Sequence, residues 1–230
     1  MTPMGNARTH DLIIQVDPNQ TVSGLLLVPD RARACFVLAH GAGAGMSHPF
    51  MGAIASGLGE RGIATLRYQF PYMEKGSKRP DPPAVAQATV RAAVAEARLR
   101  MPALPLFAGG KSFGGRMTSQ AQAASALPDV IGLAFLGFPL HPAGKPSRTR
   151  GEHLSNVHIP MLFMQGTRDA LADVVLIRQV VTELGARASL ATIPDADHSF
   201  HVPARSGRTD PQVRSELLDV LAAWLDRVAG

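Results

Sequence analysis

The chain of 230 residues has a single cysteine, Cys35. No internal disulfide is open to it, and a cysteine-ligated metal site is out of reach. Cys35 lies within the apolar run Ala34–Ala39, where a small buried core residue is expected. Aromatic residues are scarce, with only two Tyr and one Trp, and the basic residues form no long run. The formal net charge of +5 therefore does not point to nucleic acid, because single-strand platforms need stacking aromatics beside their basic groove. Charged residues make up 18% of the chain, below the roughly 25% of an ordinary domain, which argues against disorder and coiled coil. No apolar stretch approaches the roughly 18 residues of a membrane span. The opening MTPMGNARTHD lacks the apolar centre of a secretory leader. A cytoplasmic protein with no membrane association is expected, folded as one domain over residues 1–230. The sequence sets no oligomeric state.

What the chain does have is alternation. Short apolar runs occur at Leu12–Val16, Leu25–Val28, Cys35–Ala39, Ile63–Tyr68, Leu104–Ala108, Val130–Leu136, Met161–Met164 and Ala188–Ile193. Most from the third onward are continuously apolar, as strands covered on both faces must be. Between them lie helical stretches. One covers about His48 to Glu60. A second is predicted to be capped by Asp81, with Pro82 at its first position, and to end near Arg100. A third runs from Phe113 to about Ala126, a fourth from Ala170 to Leu184 with Gly185 closing it, and a last from Asp210-Pro211. The pattern predicts an α/β fold with a doubly wound, mostly parallel sheet, entered by two antiparallel strands. Gln69–Pro83 and Gly137–Ile159 are the longest irregular stretches, and loops of that length are often functional.

Gly110-Lys111-Ser112-Phe113-Gly114 follows a predicted strand and opens a predicted helix. That context is what G-x-S-x-G requires of a nucleophile elbow. The turn is so tight that side chains on either side of the serine would collide, hence the glycines. Gly-Lys-Ser also ends a phosphate-binding loop, but that loop needs a glycine where Pro105 stands. Partners follow in order. Asp169 lies 57 residues after Ser112, just past Met161–Met164, and His198 lies 29 residues further, after the last strand. A serine hydroxyl must lose its proton as it attacks, a histidine can take and return it, and a carboxylate fixes the imidazole. Asp169 also has the standing of a helix cap before Ala170, and Asp173, inside that helix, is the weaker rival for the orienting acid. His201 is the rival to His198. Asp195 and Asp197 read as turn residues. His10, His48, His141, His153 and His158 show no ligand spacing, so neither metal nor organic cofactor is expected.

His40-Gly41-Ala42-Gly43-Ala44-Gly45 follows the third strand. Such a turn supplies one backbone N–H to an oxyanion hole, and the residue after the nucleophile supplies the other; Ala42 and Phe113 are the expected donors. A dinucleotide loop starting at Gly41 would need glycine at Met46.

HGAGAG, GKSFGG, QGTRD and DADHSF, each after an apolar run, together resemble the α/β-hydrolase superfamily over nearly the whole chain. The likeness is strongest to its small, lidless members akin to dienelactone hydrolases and short bacterial esterases. It extends to a hydrolase-like domain of some chromatin-complex subunits, where an enzymatic role is not assured. The resemblance implies six to eight strands and acyl transfer through a seryl ester. Dienelactone hydrolases proper use cysteine where this chain has Ser112, so their substrate is not implied. Gly137–Ile159 is too short for a helical cap domain, so none is expected, and an open site suits a small soluble ester. Gly41, Gly43, Phe70, Tyr72 and Met73 are expected to line it, with Phe70 equally readable as core. Lys75, Lys78, Arg79, Lys145, Arg148 and Arg150 sit in the two long loops, either as a site for an anionic substrate or as a solvated face of an Arg-rich protein. Thioesterase and peptidase chemistry share these residue types, and a non-catalytic module could share the fold.

Overall fold

The computed structural model describes residues 7–230. Eight strands form one sheet: β1 (Arg8–Asp17), β2 (Gln20–Val28), β3 (Ala34–Ala39), β4 (Ile63–Tyr68), β5 (Leu106–Lys111), β6 (Val130–Leu136), β7 (Met161–Gly166) and β8 (Ala188–Ile193). Their order is β1-β2-β4-β3-β5-β6-β7-β8. β1 pairs antiparallel with β2, and β2 antiparallel with β4; every later pairing is parallel.

The continuous apolar runs have their cause in this arrangement. In β3, Cys35, Val37 and Ala39 pack on one face while Ala34, Phe36 and Leu38 pack on the other. β6 and β7 divide in the same way, with Phe135 and Phe163 on the first face and Leu136 and Met164 on the second. The first face is covered by α3 (Pro83–Arg100), α4 (Phe113–Ala124) and α5 (Val174–Leu184), which contribute Val90, Val94, Met117, Ala121 and Ile177. The second is covered by α1 (Pro49–Glu60) and α6 (Asp210–Ala229), through Ile54, Leu58, Leu217, Leu221 and Trp224. Gly132 lets the Trp224 ring reach the sheet, since a Cβ there would stand 2.8 Å from it. β1, covered on one face only, shows the alternation expected of it: Leu12 and Ile14 are buried and Ile13 is exposed.

Two helix starts, those of α3 and α5, differ from the sequence-based expectation, while α6 begins at Asp210 as expected. α3 begins at Pro83 and has no side-chain cap; the Asp81 carboxylate instead accepts from the N–H of Tyr72 at 2.9 Å. That contact fixes a four-residue helix, α2 (Pro71–Glu74), within a stretch expected to be irregular. α5 begins at Val174 rather than Ala170, and its cap is Asp173, whose Oδ1 accepts from Val175 N at 2.8 Å and Leu176 N at 3.1 Å. α6 is capped by Thr209, which forms a capping box with Gln212. The stretch from Gly137 to Ile159 folds into a run of 3₁₀ helix at Thr149–Asn156 against α4, and no cap domain covers the C-terminal ends of the strands.

Candidate active site

Ser112 joins β5 to α4 with φ 50° and ψ −115°, a conformation costly for a residue with a Cβ. The glycines on either side make it attainable. Gly110 has φ 151°, and a Cβ on it would stand 2.2 Å from the carbonyl oxygen of Ala39. A Cβ on Gly114 would stand 2.5 Å from the carbonyl oxygen of His40. The turn thus presses against β3 and lifts the serine side chain above the sheet at the N-terminus of α4. Free N–H groups and the helix dipole favour negative charge there.

Asp169 lies in the turn after β7, four residues short of the aspartate that caps α5. Its side chain is fully buried, and it accepts three hydrogen bonds: from Leu171 N at 2.7 Å, from the Gln165 side-chain amide, and from His198 Nδ1 at 2.7 Å. The Gln165 amide is itself oriented by accepting from Phe138 N at 2.9 Å. A buried carboxylate with three donors is held in one orientation.

His198 follows β8 in a turn built by Asp197, whose Oδ1 accepts from Ser199 N at 2.7 Å and from His201 N at 3.0 Å. With a proton on Nδ1 donated to Asp169, Nε2 is left to accept from the Ser112 hydroxyl, 2.8 Å away. Serine, histidine and aspartate from three separate strand ends therefore meet in one hydrogen-bonded chain. Asp195 and Asp197 stay in their turn. His201 points elsewhere: its exposed ring pairs with Asp210, which raises its pKa.

The loop after β3 sits beside the serine. A Cβ on Gly41 would stand 3.8 Å from Ser112 Cβ, while Gly43 is exposed. His40 anchors this loop: its Nδ1 bonds Gly41 O at 2.7 Å, and its Nε2 accepts from Phe70 N at 3.0 Å. Burial lowers the His40 pKa, so the ring stays neutral in that role. The Tyr72 hydroxyl donates to Ala42 O at 2.9 Å. Among the described residues, no acceptor pairs with the N–H of Ala42 or of Phe113.

Two expected lining residues are corrected. Phe70 has no exposed surface and packs edge-on to His40 and Phe113, with ring centroids 4.9 and 5.3 Å apart. Tyr72 is 3% exposed, its ring under the loop and its hydroxyl tied to the loop carbonyl. Both support the loop from beneath, because the Asp81 bond to Tyr72 N turns α2 inward. Met73 is half-buried against the same core. Of the basic loop residues, Arg148 is paired with Glu183, while Lys75, Lys78, Arg79 and Lys145 stand exposed.

A second serine–histidine contact, Ser119 Oγ to His153 Nε2 at 2.8 Å, joins α4 to the 3₁₀ run at Thr149–Asn156. Ser119 is buried with its hydroxyl also bonded to Arg116 O, and His153 has no carboxylate partner among the described residues. Burial and the nearby Arg116 charge hold His153 down to about 4, so it is a neutral packing group. His40, Lys111 and Gln165 had no role in the sequence-based expectation beyond their places in motifs or strands; His40 and Gln165 act by orienting a loop and a carboxylate, which only the fold reveals.

Residues 32–226 match the alpha/beta hydrolase domain family. The chain belongs to that family. Solved α/β hydrolases share its fold across almost the full length. A dienelactone hydrolase from Anabaena variabilis is 18% identical, with a TM-score of 0.77 over 96% of this chain and 98% of its own. A serine hydrolase without a lid from Xanthomonas campestris is 22% identical, with a TM-score of 0.73 over 97% and 98%. The esterase domain of a Rhodothermus marinus protein is 16% identical, with a TM-score of 0.74 over 97% and 100%. This α/β hydrolase shares their fold.

Proposed function

We propose that this α/β hydrolase is a serine esterase that cleaves small, accessible carboxylic esters by two-step acyl transfer. The hydrogen-bonded chain Asp169–His198–Ser112 carries the proposal. In the first step Ser112 Oγ attacks the ester carbonyl carbon while its proton passes to His198 Nε2. The imidazolium so formed is stabilised by Asp169. The carbonyl oxygen, now negative, is received by the N–H groups of Ala42 and Phe113. Collapse of the tetrahedral adduct breaks the bond to the leaving alkoxide, which takes the proton from His198. In the second step water attacks the seryl ester, giving its proton to His198, and the acid departs as Ser112 is reprotonated. The mechanism calls on no metal or organic cofactor.

The absence of a cap over the strand ends favours small or protruding esters. A substrate with an anionic group remains part of the proposal on a narrower basis, the exposed Lys75, Lys78, Arg79 and Lys145, since Arg148 is engaged by Glu183. Exposed charges act at short range and are screened by salt.

Hydrolysis of p-nitrophenyl acetate and butyrate by the wild type and by Ser112→Ala tests the reading. Turnover that depends on Ser112 is expected, with acetate and butyrate both accepted. A folded wild type that turns over neither ester would overturn it and point to a binding module. A monoacid ester hydrolysed no better than a neutral one of equal size at low salt would remove the anionic preference.

A further inference from the structure

We propose that Lys111, the residue between glycine and serine in the turn, is a positioning residue whose ammonium ties the His198 loop to the nucleophile. The effect on rate rests on the reading of Ser112 and His198 as the reacting pair; the anchoring of the loop does not. Lys111 Nζ donates to the backbone carbonyl of His198 at 2.6 Å, and it lies 5.4 Å from the centre of the Phe200 ring two residues further on. Gly137, at the end of β6, closes over both groups. A Cβ there would stand 3.1 Å from Lys111 Nζ and 3.5 Å from Nδ1 of His198. One side chain thus spans from the β5 end to the β8 loop beneath the β6 loop.

The side-chain bonds of the imidazole fix its ring plane, but not the position of its own backbone. Lys111 supplies that second point of attachment, reaching the carbonyl of the residue whose Nε2 must face Ser112. It does so without a salt bridge: among the described residues no carboxylate pairs with it directly. An ammonium held by a carbonyl in a half-buried position is an expensive way to fill space, and a methionine would fill it at lower cost. A structural role alone therefore predicts that Lys111→Met is harmless.

The groups facing Nζ are Asp169 from the turn after β7 and Asp197 and His198 from the loop after β8; β6 contributes only the uncharged Gly137. Burial holds Lys111 down to about 8 against the opposing pull of the two aspartates. Its charge is present below that pH and lost above it, so the clamp weakens on the alkaline side.

The test compares the wild type, Lys111→Met, and Lys111→Cys before and after alkylation with 2-bromoethylamine, which rebuilds an amine of lysine length. Cys35 is fully buried, and the wild type treated alike is the control. Two readouts are taken: kcat and KM on p-nitrophenyl acetate from pH 6 to 10, and backbone hydrogen exchange of residues 195–201. For Lys111→Met the expected results are faster exchange in that segment, a kcat lower by on the order of 10–100-fold and an unchanged KM. Alkylation of the cysteine variant should restore both, and the wild-type fall in kcat above about pH 8 should be missing from the methionine variant. Unchanged exchange in Lys111→Met would overturn the anchoring. Faster exchange with an undiminished kcat, or a loss that alkylation fails to restore, would overturn the positioning role. A wild type without esterase activity would refute the proposed function, while the exchange comparison would still decide whether Lys111 holds the loop.

Discussion

Gly114 stands directly against the carbonyl of His40, so close that a Cβ at position 114 would lie 2.5 Å from that oxygen. This contact brings the first turn of α4 beside the loop that begins at His40. Gly114→Ala should force the two apart. Overpacking of this kind costs about 1–3 kcal/mol. The expected outcome is a lower urea midpoint together with a kcat loss larger than any change in KM. Wild-type stability and turnover in the alanine variant would mean that the two loops have more freedom than this packing allows.

Asp169 and Asp173 are four residues apart and do different work. Asp169 is buried and orients His198, whereas Asp173 caps α5. Asp169→Asn should fold and lose on the order of 10⁴-fold in kcat, since an amide favours the wrong imidazole tautomer. Asp173→Ala should keep kcat and lose about 0.5–2 kcal/mol of stability, the usual cost of an N-cap. Paired measurements of esterase rate and urea unfolding check both. An exchange of the two phenotypes would contradict the assignment.

His153 should make stability depend on acid. Its folded-state pKa is lowered from 6.5 to about 4 by burial and by Arg116, so between those values the unfolded chain binds the proton and the folded one does not. Stability therefore falls as pH drops from about 6.5 toward 4, and the contribution is fully present above that window. Urea unfolding at pH 7 and pH 5 should show a larger loss for the wild type than for His153→Gln. Equal losses would show that His153 accepts a proton in the folded state.

The fold was largely legible because its cause is local. Strands such as β3 and β7 must be apolar at every position when helices cover both faces, and that leaves a mark no amphipathic element imitates. Ser112, Asp169 and His198 stand out as candidates because each follows an apolar run, at a strand's C-terminal end, and the structure brings the three into one hydrogen-bonded chain. What local pattern could not supply was register within a turn. Asp169 reads by sequence as the cap of a helix beginning at Ala170, and only the structure shows that the helix begins four residues later, capped by Asp173. Tyr72 is expected in the lining, and Phe70 in either the lining or the core, because their loop leaves the C-terminal end of a strand. The bond from Tyr72 N to Asp81 folds that loop inward and buries them. Lys111 looked like the variable position of a motif, and nothing near it in sequence indicates that its partner lies 87 residues away.

Mapping the site of covalent modification by a fluorophosphonate tests the central proposal most directly. Wild type and Ser112→Ala are treated at pH 7, digested, and the adduct located by mass spectrometry. One adduct on Ser112 is expected, absent from the alanine variant and slowed by His198→Ala but not by His201→Ala. A folded wild type that takes no label, or that carries it on Ser119 beside His153, would contradict the assignment of Ser112 as the nucleophile.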